Sequence, residues 1–110
     1  MYEIEEYIAE DGASPFAEWL EGLKDPRARA RILARLDRVS LGNLGDWRAL
    51  AGTDGVAELR DAYGPGYRVY FSFAGRNVVL LLAGSTKRDQ RNAIRRAKAH
   101  LEDYHRRSGP

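Results

Sequence analysis

The chain has 110 residues, 44% of them apolar and 31% charged, which fits one modest core and a single domain over residues 1–110. With no cysteine and two histidines, His100 and His105, it has no disulfide framework or thiolate metal site, and too few ligands for a zinc centre. The formal net charge of +2 hides an asymmetry: residues 1–25 hold eight acids and one base, and the rest holds eight acids and 17 bases. That pattern points to a nucleic-acid or acidic-protein partner; the plainer alternative is scattered, solvated charge.

The opening "MYEIEEYIAEDG" is acidic and alternating, unlike a signal peptide. Tyr2 to Ile8 reads as a strand, with Tyr2 and Ile4 on one face and Glu3, Glu5 and Tyr7 on the other. Ser14-Pro15 starts a helix, with serine as N-cap and proline in the first turn; Phe16, Trp19, Leu20 and Leu23 follow at helical spacing. Asp25-Pro26 repeats the signal, and the second helix places Ala28, Ile32, Leu36 and Val39 on one stripe. The short link predicts an antiparallel helical hairpin. "GNLGDWRALAGTDG" reads as a glycine-punctuated connection whose Trp47 and Leu50 tuck into the core edge.

Three strands follow, "VAELRDA", "YRVYFSF" and "NVVLLLA", joined by the turns "YGPG" and "AGRN". The last is apolar on both faces and is expected to be central or covered on both sides. It is also the longest apolar run, far too short to span a bilayer, so the expectation is a soluble, cytoplasmic protein without membrane contact. A final helix runs from about Asp89 to Arg106 with Ile94, Ala97, Leu101 and Tyr104 as its apolar stripe, and "RRSGP" reads as a frayed end. The expected fold is α+β, in the order β-α-α-β-β-β-α: an antiparallel three-stranded core plus the N-terminal strand, the helical hairpin on one face, and a C-terminal helix.

The chemistry concentrates on the hairpin. Alternation puts Tyr67, Val69, Phe71 and Phe73 on the core face and Gly66, Arg68, Tyr70 and Ser72 on the other. A hairpin centred on Gly64 sets Arg60 directly opposite Arg68, and Glu58 opposite Tyr70. Like charges across a ladder are destabilising, and two adjacent guanidinium groups are suited to a phosphate. The plainer alternative is that Glu58 lies diagonally and neutralises both arginines. Lys87 and Arg88 in "GSTKRD" bring further cations to this open face, Ser85 and Thr86 bring hydroxyls, and Tyr70 offers a ring for base stacking. Four cations, a stacking ring and no clustered metal ligands point to RNA handled without metal or cofactor.

"ELRDAYGPGYRVYF", "NVVLLLAGSTKRD" and "AIRRAKAHLEDY" together resemble the RelE/ParE toxin superfamily, and more closely its phage-derived, HigB-like "addiction module killer protein" branch. The similarity also takes in "SPFAEWLEGLKDPRARARI" and so covers nearly the whole chain. It implies a RelE-like fold and the toxin of a type II toxin–antitoxin pair: a metal-independent endoribonuclease that cuts mRNA, usually on the ribosome, and inhibits translation. It also implies a cognate antitoxin, expected to be a helix-turn-helix protein. In such relatives the 2′-hydroxyl attacks the adjacent phosphate and leaves a cyclic phosphate. The arginine of their "GYR" motif matches Arg68, and the basic pair after their last strand matches Lys87 and Arg88. Relatives carry lysines where this chain has Glu58, and no match is found for a tyrosine near their C-terminus.

Metal-free cleavage needs a base for the 2′-proton, an acid for the leaving 5′-oxygen, and cations for the transition state. Arginine supplies only the last. The candidate catalytic residues are therefore Arg68, Lys87, Arg60, Tyr70 and Glu58, with Lys87 as base or acid and Glu58 as the other base. The candidate RNA-binding residues are Arg88, Tyr67, Ser85, Arg91 and Arg95. His100 and His105 lie late in the last helix and are assigned to its surface. The basic stripes of the second and last helices are explained by solvation, or by ribosomal phosphates. Two other functions stay open: a ParE-like DNA gyrase inhibitor that cuts nothing, and an RNA-binding module without catalysis.

Overall fold

A computed structural model describes residues 1–108. The elements are β1 (Glu3–Glu6), α1 (Pro15–Glu21), α2 (Pro26–Ser40), β2 (Trp47–Ala49), β3 (Ala57–Asp61), β4 (Tyr67–Phe73), β5 (Val78–Thr86), a 3-10 turn (Lys87–Asp89) and α3 (Gln90–Ser108). The strands form one five-stranded sheet in the order β1-β5-β4-β3-β2, with β1 parallel to β5 and every other pair antiparallel. This is an α+β arrangement with one more strand than the sequence suggests.

Both N-terminal helices begin where their capping residues demand. Ser14 Oγ accepts a hydrogen bond from the Ala17 amide, and Asp25 Oδ1 accepts one from the Arg27 amide, each with proline next in line. The expected α2 stripe of Ala28, Ile32, Leu36 and Val39 is the buried one. It packs with Phe16 against Leu59, Val69, Phe71, Val79 and Leu81 on one face of the sheet. On the other face Ala93, Ala97 and Leu101 of α3 pack against Tyr7, Val56, Tyr70, Leu80, Leu82 and Ala83. Ile94 and Tyr104, expected in the buried stripe, flank it half-buried.

The apolar run of β5 serves both layers, as its composition requires. A bulge between β4 and β5 pairs Tyr70 with Ala83 but Phe71 with Leu81. The extra residue, Leu82, re-phases the alternation, so Ser85 shares a face with Tyr70 and Arg68. Gly84 points the opposite way, and a Cβ there would lie 2.1 Å from the Trp19 ring. Only glycine lets α1 seat its tryptophan on the strand.

Three sequence expectations are corrected. The glycine-punctuated connection contains β2, held to β3 by Trp47↔Leu59 pairing and by Arg35, whose guanidinium donates to the carbonyls of Arg60, Leu44 and Asp46. Phe73, expected in the core, is the last residue of β4 and 41% exposed; Trp47 packs on it edge-on and Tyr2 beside it. "RRSGP" does not fray at its start: Arg106 to Ser108 continue α3, with Arg106 and Arg107 both bound to Asp103, while Gly109 and Pro110 lie outside the described residues. Among the described residues no helix is long and apolar enough to cross a membrane.

Candidate functional site

The register across β3 and β4 is Arg60↔Arg68 and Glu58↔Tyr70, the pairing expected from a hairpin centred on Gly64. Arg68 continues the rung to Ser85 on β5, and the Arg60 amide donates to the Asp46 carbonyl at 3.0 Å on the far side. Asp46, Arg60 and Arg68 thus sit side by side on adjacent segments of the fold. Lys87 joins them because its amide donates to the Gly66 carbonyl at 2.8 Å, just past Arg68. Gly66, at φ 82°, turns the chain tightly enough that a Cβ there would crowd Lys87 Cβ. These residues line an open cleft of about 490 Å³ at the end of the sheet.

The charges in the cleft are unevenly compensated. Arg60 Nη2 donates to Asp46 Oδ1 at 3.0 Å. Glu58 does not neutralise the arginine pair: its carboxylate accepts from Arg48 Nε and from Gln90 Nε2, each at 3.2 Å. Among the described residues, Arg68 and Lys87 have no ion-pair partner, and the Nε atoms of Arg60 and Arg68 are buried without a hydrogen bond. The cleft therefore holds two uncompensated cations beside one compensated arginine.

The face expected to be open is partly closed. α3 lies over the Glu58–Tyr70 rung, so Glu58 and Tyr70 are both 0% exposed and Ser85 is 2% exposed. Tyr70 is therefore not a stacking ring; its hydroxyl shares a 3.0 Å hydrogen bond with Ser85 Oγ. Burial pushes the Tyr70 hydroxyl above its ordinary value of 10.0, the Ser85 hydrogen bond opposes this, and the Glu58 charge adds to it. Glu58 as an accessible base and Ser85 as an accessible RNA contact are corrected for the same reason. Tyr67 lies on the other face, buried edge-on against Trp19, and presents no ring to the cleft. Burial, then the nearby Asp25, raise its hydroxyl as well.

Of the remaining candidates, Arg60, Arg68 and Lys87 converge in the cleft. Lys87 also borders a shallow basin lined by Arg88, Gln90, Arg91 and Ile94, so the basic surface continues onto α3. Arg95 is exposed one turn beyond Arg91. His100 is not a free surface group: it is stacked on Tyr7 with ring centroids 4.8 Å apart. Sequence reasoning missed Asp46, Arg35, Arg48 and Gln90. Only Asp46 left a signal, because extending the β-ladder past Trp47 would have set it beside Arg60.

A profile of the family described as "Phage derived protein Gp49-like (DUF891)" matches residues 18–102, a span that takes in the whole cleft. An uncharacterized protein of Haemophilus influenzae (strain ATCC 51907 / DSM 11121 / KW20 / Rd) is 43% identical over 83 residues, covering 76% of this chain and 82% of that protein.

Proposed function

The chain belongs to the phage-derived Gp49-like family, and from that premise we propose that it is the toxin of a type II toxin–antitoxin pair, acting as a metal-independent mRNA endoribonuclease on the ribosome. The reading takes the fold as RelE-like and the chain as HigB-like. The observation that carries it is the cleft: Arg68, without an acidic partner among the described residues, directly opposite Arg60 and beside Lys87. A folded domain keeps like charges opposed at a cost to stability, and a phosphodiester relieves that cost through charge-assisted, bidentate hydrogen bonds. Arg68 holds the scissile phosphate, Arg60 supports it, and Arg88, Arg91 and Arg95 contact flanking phosphates in a salt-dependent way. Glu58, Tyr70, Ser85 and Tyr67 support the site as packing and positioning residues. The partner in the cell is a helix-turn-helix antitoxin that covers the basic surface.

Induced expression without a partner, followed by primer extension on cellular mRNA, tests the reading. Growth arrest with new mRNA 5′ ends supports it. Normal growth with soluble protein accumulating refutes it, and loss of DNA supercoiling with intact mRNA assigns the chain to gyrase inhibition instead. Where a short free RNA is cut without ribosomes, that cleavage is expected to survive EDTA; loss of cleavage restored by a divalent ion refutes the metal-independent part.

A further inference from the structure

We propose that Asp46 is the general base and Lys87 the general acid of this cleavage, an assignment that rests on the ribonuclease reading and supplies the two roles it lacks. The 2′-hydroxyl must lose a proton and the leaving 5′-oxygen must gain one. Arg60 and Arg68 do neither, since guanidinium stays protonated. Glu58 and Tyr70 are sealed beneath α3. Among the described residues, the titratable groups left lining the cleft are one carboxylate, Asp46, and one ammonium, Lys87.

Their placement suits the reaction. In-line displacement puts base and acid on opposite sides of phosphorus. Asp46 lies outside Arg60, next to β2, while Lys87 follows β5 on the far side of Arg68. Neighbouring strands are about 4.8 Å apart, so three spacings separate the two backbones by roughly 14 Å. A short aspartate and a long lysine reach inward from those ends, and the arginine pair lies between them where the phosphate sits. The Asp46 side chain is 61% exposed and oriented by Arg60 Nη2. Its carbonyl is pinned by Arg35 Nη2 at 2.6 Å and by the Arg60 amide, so the carboxylate hangs from a fixed backbone.

The step balances. Asp46 takes the 2′-hydroxyl proton, the 2′-oxygen bonds to phosphorus, the P–O5′ bond breaks, and Lys87 gives a proton to the departing oxygen. The products are a 2′,3′-cyclic phosphate and a 5′-hydroxyl, and solvent returns both side chains to their starting states.

The test uses the full chain and a single-stranded RNA carrying the site mapped by primer extension, with and without ribosomes. An all-2′-O-methyl copy, which cannot be cut, reports binding by fluorescence anisotropy. Asp46→Asn is expected to lose about a hundredfold or more in cleavage, bind the copy within about threefold of wild type, and keep its melting temperature. Asp46→Glu, which restores a carboxylate, is expected to regain part of the rate. Lys87→Ala is expected to lose cleavage but recover on a 5′-thio substrate, whose sulfur leaves without protonation; Asp46→Asn is not rescued there. Asp46→Asn cleaving at the wild-type rate overturns the assignment. So does tighter binding with faster cleavage, which would make Asp46 a competitor for Arg60. Wild-type protein that cuts no RNA in either arm refutes the ribonuclease reading beneath it, a different outcome from wild-type cleavage with an active Asp46→Asn.

Discussion

Arg68→Ala separates function from stability because the structure gives the two opposite signs. On stability, three terms compete. The variant removes a like-charge pair directly across the ladder, worth about 0.2–1 kcal/mol. It also removes a buried Nε that has no hydrogen-bond partner, a desolvation cost of about 1–3 kcal/mol. Against these stands the packing of a half-buried aliphatic stem, on the order of 1 kcal/mol. The balance lies between about zero and a gain of 2–3 kcal/mol, so the melting temperature holds or rises by several degrees in a domain of this size. On function, losing one preorganised cation at the transition state costs about a hundredfold or more in rate. Thermal unfolding by circular dichroism and cleavage of a defined RNA, both on the purified variant, measure the two effects. Arg68→Lys keeps the charge without the bidentate fork and is expected to fall between. A variant that melts several degrees lower and cleaves normally would show Arg68 to be structural, and the reasoning from opposed charges would fail.

Glu58→Gln is expected to do the reverse: a loss of about 1–3 kcal/mol, because the amide keeps one buried acceptor oxygen, sets an NH2 against the second donor of the Arg48 and Gln90 pair, and removes the charge facing Arg48, with cleavage per folded molecule within about threefold of wild type; a hundredfold loss in folded protein would make Glu58 catalytic. Gly84→Ala is expected to cost about 1–3 kcal/mol, because its Cβ would lie 2.1 Å from the Trp19 ring; an unchanged urea midpoint would contradict that contact. Burial, and then the neighbouring Arg96, hold the His100 imidazole below its ordinary 6.5, with Asp103 opposing them. The unfolded chain therefore binds this proton first, so the His100 contribution is present above 6.5 and is lost as pH falls through that value toward the folded-state one. His100→Gln is expected to flatten the melting temperature between about pH 7.5 and 5.5, and an unchanged slope would assign that pH dependence elsewhere.

What the sequence made legible was local or periodic. The caps at Ser14 and Asp25, the α2 stripe and the Arg60–Arg68 register follow from spacing and turn position, which the chain carries explicitly. Alternation assigns residues to faces but does not say what covers a face. Alternation alone leaves Tyr70 and Glu58 on an open surface, although Leu80 and Leu82 demand a second apolar layer, and α3 is the helix that supplies it. β2 leaves no periodic signal because its three residues are all exposed and do not alternate between core and solvent. The partners of Glu58 come from Arg48 and Gln90, ten and thirty-two positions away, and no local pattern links them.

The charge asymmetry of the sequence becomes partly an asymmetry across the sheet. Glu3, Glu5 and Glu6 lie on the edge strand β1, while Arg60 and Arg68 lie on β3 and β4, with β5 between β1 and β4. On the ribonuclease proposal, this separation would repel an RNA from the first edge, draw it to the cleft and make association fall with salt. The same separation explains why the fold tolerates the opposed arginines. α3 starts only after Lys87, so it seals the Glu58–Tyr70 rung and leaves the Arg60–Arg68 rung half in water, where repulsion is screened rather than concentrated. One rung further inward, the same pair would need two buried acids. One rung outward, it would lose the turn that brings Lys87 alongside. The cations therefore occupy the register position where like charges can be held close at moderate cost and still face the open cleft.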